Sequence, residues 1–568
     1  MKLFGWMEPI PKTPEQKAAL KRERLLLLLS AVVIALGFPP VPLPYLLFVG
    51  LVPYLMVIEG RNKLVDINRA TFLMSFLLAL FTIYWVGGFT QGKDSFLMIG
   101  GFILFFINPI CFLIPSTLYY LWREYVHRKS ALLVFPFFWL CYEYFYSATD
   151  WSFPWLNLHN GVSQFTSFIQ IADIIGGWGL TILIIYANVF FYLAYRNWKI
   201  NTAVEKQLRG QAIIYLIGAV GIIFLPVIYG VYQISTRSAA QSNAALTVGV
   251  VQPNIDPYDK WSESRYEKTL ADLLADSKKL MESKPDVILW PETALPIYFS
   301  SPQYGETQDL VFNFARANSV NILTGMPDVV FYGENEKAPI DAKYSKTGKF
   351  FYATYNSVLG IRPDSRELQR YGKMKLVPFG ERAPFVDALP FIADIIKWEV
   401  GISGWNVGKD TVVFNLKLRD GSPVKVGTVI CYESIYSEVL TALANKGAQC
   451  LFIVTNDSWY GNTSGPYQHR DFARLRAVET RRYVVRCANG GVSCIINNMG
   501  QIEKQTNMYE HTLLSGTARL SNESTFYMQH PRWLLHIAIT LSLVCLVLSF
   551  AAWIRKKIDN RILQEYSI

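Results

Sequence analysis

The chain has 568 residues, of which 51% are hydrophobic and 15% aromatic but only 17% charged, against about 25% charged in an ordinary soluble protein. That deficit excludes a wholly water-soluble chain and places long stretches in lipid. The net charge of +10 lies mostly beside apolar runs, which marks topology signals and not a nucleic-acid groove.

A bilayer core takes about 20 mainly apolar residues per helix. In chain order such runs fall at roughly 25–39, 43–59, 70–89, 96–122, 131–148, 169–195 and 211–234, with one more near 533–554. The first follows Lys17, Lys21, Arg22 and Arg24 and ends at Gly37, Pro39 and Pro40. No small-residue cleavage site comes after it, so it reads as a retained helix and not a signal peptide. Basic residues recur in alternate connections: Arg61, Lys63 and Arg69; Arg123, Arg128 and Lys129; Arg196, Lys199, Lys206 and Arg209. The tail carries Arg555, Lys556, Lys557 and Arg561, whereas 40–43 has no basic residue and 90–95 only Lys93 beside Asp94. The positive-inside bias then puts both termini in the cytoplasm and residues 240–525 on the opposite face. A re-entrant run would flip the large domain, but the basic tail argues against it independently. Glu143 and Asp173 are read as ionisable residues inside spans, and Glu143 is expected to have an interior structural role. Aromatics cluster at the outer boundary: Trp85, Tyr146, Trp151, Trp155, Trp459, Tyr460 and Tyr467. Trp151 and Trp155 are expected in an interfacial belt.

From about 240 to 520 short β-branched runs alternate with polar helical stretches, the mark of a layered α/β fold. Strands are predicted at 245–252, 286–290, 321–325, 355–361, 425–431, 450–455 and 483–496, and helices at 264–283, 306–318, 434–446 and 466–482. Segment 327–351 reads as a long polar loop. The chain thus divides into 1–239, a membrane domain with seven helices; 240–525, an extracytoplasmic catalytic domain; and 526–568, a last transmembrane helix with a cytoplasmic tail.

Three segments in the large domain look chemical: Trp290-Pro291-Glu292-Thr293 after a strand; Tyr371-Gly372-Lys373 running on to Pro378-Phe379-Gly380-Glu381; and Ile430-Cys431-Tyr432-Glu433 at a strand end leading into a helix. A thiol at such a turn is expected to feel the positive helix end, which favours the thiolate. A carboxylate can take its proton, and a fixed ammonium can stabilise an oxyanion. Singly, Cys431 reads as a buried strand cysteine, Glu292 as a turn carboxylate and Lys373 as a solvated loop lysine. The other six cysteines form no CxxC pair and no disulfide-like array, and are expected to pack as small hydrophobes.

The order Glu, Lys, Cys resembles the nitrilase superfamily. The motifs WPET, LVPFGE and ICYE and the run Thr455-Asn456-Asp457-Ser458-Trp459-Tyr460-Gly461 resemble its membrane-bound branch, the apolipoprotein N-acyltransferases, as do Gly465-Pro466-Tyr467-Gln468-His469, Phe153-Pro154-Trp155-Leu156 and Gly176-Gly177-Trp178-Gly179. The apolar runs give about eight transmembrane helices, and the resemblance implies a nitrilase-like α-β-β-α sandwich beside them. It also implies a multi-pass enzyme of the bacterial inner membrane with its catalytic domain in the periplasm; a monomer is the default expectation. The implied reaction moves an acyl chain from a phospholipid to the α-amino group of a diacylglyceryl-cysteine apolipoprotein, through a cysteine thioester. By the same resemblance Cys431 is the nucleophile, Glu292 the base and Lys373 the oxyanion support. Glu381, Tyr432 and Glu433 assist, and Trp261, Trp459 and Tyr460 contact substrate. Thr525 to Arg532 departs from the family pattern by lacking a Gly-Asp pair.

No cofactor and no metal are expected: there is no HExxH, GxGxxG or P-loop, and His469 and His511 lack zinc-ligand spacing. A nucleic-acid partner is not expected either. The alternative function is a membrane-tethered nitrilase-type amidohydrolase. A lipid-binding scaffold that no longer catalyses and a transporter rank below it.

Overall fold

A computed structural model describes residues 13–88, 95–199, 205–239, 244–261, 265–333, 336–339, 341–385 and 404–565. Lys93 and Asp94 of the third connection lie outside the described residues. Helix α1 (Pro14–Leu36) starts where Thr13 and Gln16 cap each other reciprocally, with proline at the first helical position. Then come α2 (Val52–Glu59), α3 (Leu64–Thr82), α4 (Ser95–Cys111), α5 (Leu113–Tyr125), α6 (Ala131–Ser147), α7 (Ala172–Lys199) and α8 (Glu205–Ala239). The α/β region adds α9 (Tyr266–Leu280), α10 (Gly305–Asn318), α11 (Ser437–Asn445) and α12 (Ser464–Thr480), and α13 (Trp533–Glu565) follows.

Among the described residues, five helices are long and apolar enough to cross a membrane: 64–82, 97–125, 172–199, 208–237 and 533–564. The runs at 25–39, 43–59 and 131–148 are helical too but shorter or interrupted. Residues 44–59 divide into a 3₁₀ turn (Pro44–Phe48) and α2, so the helical ladder is broken. Asn188 of α7 repairs the break: its Nδ2 donates to the Leu47 carbonyl at 2.7 Å and its Oδ1 accepts from the Leu51 N–H at 2.7 Å. Non-helical backbone at membrane depth survives where protein groups satisfy it in this way. Leu225, Ile228, Val547 and Phe550 are among the large apolar side chains that α8 and α13 leave exposed, the surface a lipid-facing helix needs.

The α/β region holds two sheets. Strands β1 (Ala245–Gln252), β2 (Val287–Trp290), β3 (Asn321–Tyr332), β4 (Lys343–Ser345), β5 (Phe350–Arg362) and β6 (Ser365–Gly372) are followed by β7 (Val413–Lys417), β8 (Pro423–Ile430), β9 (Cys450–Thr455), β10 (Val484–Ala488), β11 (Cys494–Ile496), β12 (Ile502–Gln505) and β13 (Thr512–Arg519). The first sheet runs β13-β1-β2-β3-β5-β4 with β6 on β5, and the second β12-β11-β10-β9-β8-β7. Alternate residues point inward, so Val248, Val250, Leu289, Val426, Phe452 and Val485 fill the space between the sheets. The outer face of the first sheet packs α9 and α10 through Ile288, Ile322, Leu273 and Phe312. The arrangement is the expected α-β-β-α sandwich.

Two sequence readings need correction. Segment 327–351 is not one long loop: β3 continues to Tyr332, paired antiparallel with β5 from Ile322↔Ile361 to Tyr332↔Phe351, and β4 adds to the same edge. Pro327, Asp328 and Val329 are still buried, and beyond them the pairing with β5 carries the strand out to the exposed Phe331. The run 483–496 is two strands, because Asn489 leaves the ladder to donate to the Ile255 carbonyl and to Asn456.

The outer face of the second sheet packs α11 and α12, and that helical layer belongs to the same apolar cluster as α1, α3, α6 and α7. Polar contacts fix the docking. The backbone turns at Gly176 (φ +62°), whose missing side chain leaves room for the Tyr527 ring. The freed Gly177 N–H donates to Glu479 at 2.8 Å. Arg481 pairs with Asp173 at 2.5 Å, so Asp173 stands at a helix start and not inside the span. Trp155 and Trp85 both donate to Gln468. Trp85, Tyr146 and Trp155 are therefore buried in the junction, which overturns the interfacial belt for Trp155; Trp151 packs edge-on against Phe385 at 5.0 Å.

Glu143 is buried as expected and accepts hydrogen bonds from Trp139 Nε1, the Leu158 N–H and Thr181 Oγ1. Glu143→Leu strands three donors, each costing roughly 1–3 kcal/mol. The folded yield in detergent, read by size-exclusion chromatography, should fall steeply while the specific activity of the folded fraction holds. Normal yield with lost turnover would give Glu143 a part in the chemistry instead.

Candidate active site

Each candidate residue stands just beyond a strand. Glu292 follows β2, Lys373 follows β6 and Cys431 follows β8. The turn after β2 takes Thr293 into the left-handed region (φ +45°). It lies so close to β3 that a side chain at Gly325 would stand 2.6 Å from the Glu292 Cα.

Lys373 is 1% exposed. Its Nζ donates to Glu381 at 2.8 Å and lies 3.4 Å from Glu292 Oε1. Burial opposes the charge, but Glu381, Glu292 and Cys431 outweigh it and hold the ammonium above the usual lysine range. Asn356 on β5 bridges the two carboxylates, donating to Glu292 at 2.7 Å and Glu381 at 2.9 Å. The Asn456 N–H donates to the other Glu292 oxygen at 2.9 Å. Asn356 escaped sequence reasoning because it lies within a long strand, with no motif around it.

Cys431 has φ +51° and opens a single 3₁₀ turn, Cys431–Ile435; α11 begins only at Ser437. The thiolate expected from the helix end is not what the site favours. Burial first, and then the Glu292 charge, push the thiol up, with Lys373 pulling the other way. The cavity thus favours the thiol over the thiolate.

The supporting residues join the parts. Glu433 accepts from Tyr371 OH at 2.8 Å and from the N–H groups of Met374, Lys375 and Ile430, tying the Lys373 loop to the cysteine turn. Tyr432 donates to the Ser152 carbonyl at 2.6 Å and stacks on Phe153, which anchors the same turn to the membrane helices. Trp261, Trp459 and Tyr460 line the cavity with the triad, and Leu97 of α4 completes its rim. Tyr460 meets Trp85 edge-on at 4.8 Å.

Lys260 was not singled out from sequence. It is 3% exposed and donates to the Glu292 carbonyl at 2.9 Å and to Thr293 Oγ1 at 2.8 Å, and burial pushes it down to about 7. His469, set aside for want of ligand spacing, lies close to Cys431 and Asp457, with candidate ligand atoms of the three within 4.8 Å of one another. Asp457 is already paired with Arg486 at 2.6 Å and the imidazole with the Cys431 carbonyl, so these donors are engaged within the protein.

The carbon-nitrogen hydrolase family model matches residues 247–524, and the model of the apolipoprotein N-acyltransferase N-terminal domain matches 30–190. An apolipoprotein N-acyltransferase from Chlorobaculum tepidum is 30% identical over 534 residues, 93% of this chain and 96% of that protein. The chain belongs to the apolipoprotein N-acyltransferase family. It is accordingly a transferase with a helical membrane region and a nitrilase-like domain. The apolipoprotein N-acyltransferase of Geobacter metallireducens is 28% identical, over 91% of this chain and 94% of that one. Among solved structures, Saccharomyces cerevisiae Nit3, of the nitrilase superfamily, covers 51% of this chain and 93% of its own at 15% identity and a TM-score of 0.35.

Two outcomes test this acyltransferase site. Iodoacetamide labelling of Cys431, followed by intact mass, should be slow at pH 7–8 and keep rising beyond pH 9, because the thiol is pushed up; a plateau by pH 8 would mean a resting thiolate. Lys260 titrates near 7 when folded but near about 10.4 when exposed. Between these values the unfolded chain holds the extra proton, so the lysine costs more stability as pH falls. The melting temperature of Lys260→Met relative to wild type should therefore be higher at pH 6 than at pH 9; no pH dependence would contradict the buried amine.

Proposed function

We propose that the enzyme moves an acyl chain from a phospholipid to the α-amino group of a diacylglyceryl-cysteine apolipoprotein in two half-reactions on Cys431. What carries the reading is the buried Lys373 ammonium between Glu292 and Glu381, beside a cysteine in a cavity rimmed by a membrane helix. Glu292 takes the thiol proton as Sγ attacks the ester carbonyl. Lys373 stabilises the oxyanion. The intermediate collapses to a thioester, and the lysophospholipid leaves with the proton that Glu292 returns. The neutral amine of the lipoprotein then attacks the thioester, Glu292 accepts its proton, and the expelled thiolate is reprotonated.

Glu381 holds the ammonium in register, Glu433 fixes the Lys373 loop, and Tyr432 keeps the cysteine turn at the membrane. Trp261, Trp459 and Tyr460 form the apolar wall for the acyl chain. In our assignment residues 1–239 form a seven-helix membrane domain, 240–525 the periplasmic catalytic domain, and 526–568 the last span and cytoplasmic tail of a monomeric inner-membrane enzyme. A catalytic cleft at the interface raises the effective concentration of lipid esters around the thiol. A small-amide hydrolase would need no Leu97 at the rim and no aromatic wall, which is why that alternative is not favoured.

Purified enzyme incubated with phosphatidylethanolamine should gain a hydroxylamine-labile acyl mass that Cys431→Ala does not gain. A diacylglyceryl-cysteine peptide should discharge it. An unmodified wild type in a folded sample would refute the reading and send the search to small amides.

A further inference from the structure

Behind Cys431 lies a buried polar chain that neither half-reaction uses. The Cys431 backbone is left-handed (φ +51°), a region sparsely populated by residues other than glycine, which persists only where surrounding groups hold it. Its carbonyl is the handle. Ser434 Oγ donates to it at 2.8 Å, and His469 Nε2 stands 3.0 Å away. Ser434 Oγ and His469 Nε2 are themselves 2.8 Å apart. On the far side of the ring, Nδ1 lies 2.9 Å from Asp457 Oδ1 and 2.9 Å from Arg486 Nη2, which also donates to Asp457 Oδ2 at 2.6 Å. Thr455 Oγ1 donates to Asp457 at 3.1 Å. His469, Asp457 and Arg486 are all buried, and the Trp155 ring from the membrane region lies 5.6 Å from the imidazole.

The partners of the ring place its proton. Burial and then Arg486 pull His469 down from its ordinary value, with Asp457 pulling the other way. Nδ1 faces an acceptor, Asp457 Oδ1, as well as a donor, Arg486 Nη2, whereas Nε2 faces the Cys431 carbonyl, which can only accept and already takes the Ser434 hydroxyl proton. The ring proton is then on Nε2, facing the Cys431 carbonyl.

We propose that His469 is a positioning residue for the nucleophile: its Nε2–H holds the carbonyl of Cys431, fixing the left-handed turn that aims Sγ at the acyl donor, with Asp457 and Arg486 orienting the ring. His469 touches no reacting atom. It acts through the backbone of Cys431, and through Trp155 it links the aim of the thiol to the seating of the catalytic domain on its helices. The inference rests on Cys431 being the nucleophile. If wild type forms no acyl-enzyme with phosphatidylethanolamine, that underlying reading fails and not this one in particular.

The test compares His469→Gln, His469→Asn and His469→Ala in single-turnover acylation with phosphatidylethanolamine micelles, followed by intact mass, with melting temperatures in parallel. A glutamine amide reaches the place of Nε2, whereas an asparagine amide reaches only that of Nδ1. His469→Gln should keep its acylation rate within about tenfold of wild type. His469→Asn should lose roughly 100-fold, the scale on which ångström misplacement acts, with the KM for phospholipid unchanged and a melting temperature equal to that of His469→Gln. His469→Ala should match asparagine in rate where it folds. Equal rates for the glutamine and asparagine variants would overturn the proposal. So would a loss that appears in KM, or one that follows the melting temperature alone.

Discussion

Two carboxylates and a thiol share a dry cleft in this enzyme because one ammonium lies among them. Lys373 meets Glu381 at 2.8 Å and Glu292 at 3.4 Å with almost no exposure to water. Three acidic groups in one cleft would otherwise force protons onto one another. The Asn356 amide satisfies one oxygen of each carboxylate, so the cluster is held by hydrogen bonds as well as charge, the condition under which buried ions are tolerated. The placement of the surrounding strands follows from the need to bring Glu292, Lys373 and Cys431 to this ammonium from the ends of β2, β6 and β8.

The second constraint is that the sandwich does not end at its own helices. Its outer layer, α11 and α12, packs into the same apolar cluster as the membrane helices. Glu479 caps the turn at Gly177, Arg481 binds Asp173, and Gln468 takes the indole N–H groups of Trp85 and Trp155. A soluble sandwich could cover that layer with water. Here it is covered by protein that is itself embedded in lipid, and so the cleft opens where Leu97 of a spanning helix forms part of its rim. The geometry of the site and the seating on the membrane helices share contacts, Tyr432 bonding to the Ser152 carbonyl and Tyr460 meeting Trp85.

Backbone strain gathers at the chemistry. Thr293 and Cys431 are both left-handed, and both line the cavity that holds Lys373. Each has a buried hydrogen-bond network behind it: Lys260 under the Glu292 turn, and Arg486 with Asp457 and His469 behind the Cys431 carbonyl. The price of each turn is met by contacts that come from distant parts of the chain.

Much of this was legible in the linear chain. Apolar length marked the candidate spans, because lipid demands it residue by residue; short β-branched runs marked many of the strands; and WPET, LVPFGE and ICYE marked the three chemical turns. The strands within 327–351 were missed, because the polar stretch between them hides the short runs that pair with β5. The thiolate was misjudged, because the helix after Cys431 is one short turn and burial dominates. Asn356, Lys260 and His469 were missed as site residues, since each acts through a partner roughly 30 or more positions away. The sequence by itself determined which segments are apolar and which residue types meet at strand ends, for those depend on local hydrophobicity and local turns. Only the tertiary structure decided the protonation of the thiol, the sharing of Lys373 and the route from membrane helix to nucleophile, because burial and charge proximity belong to the packed whole.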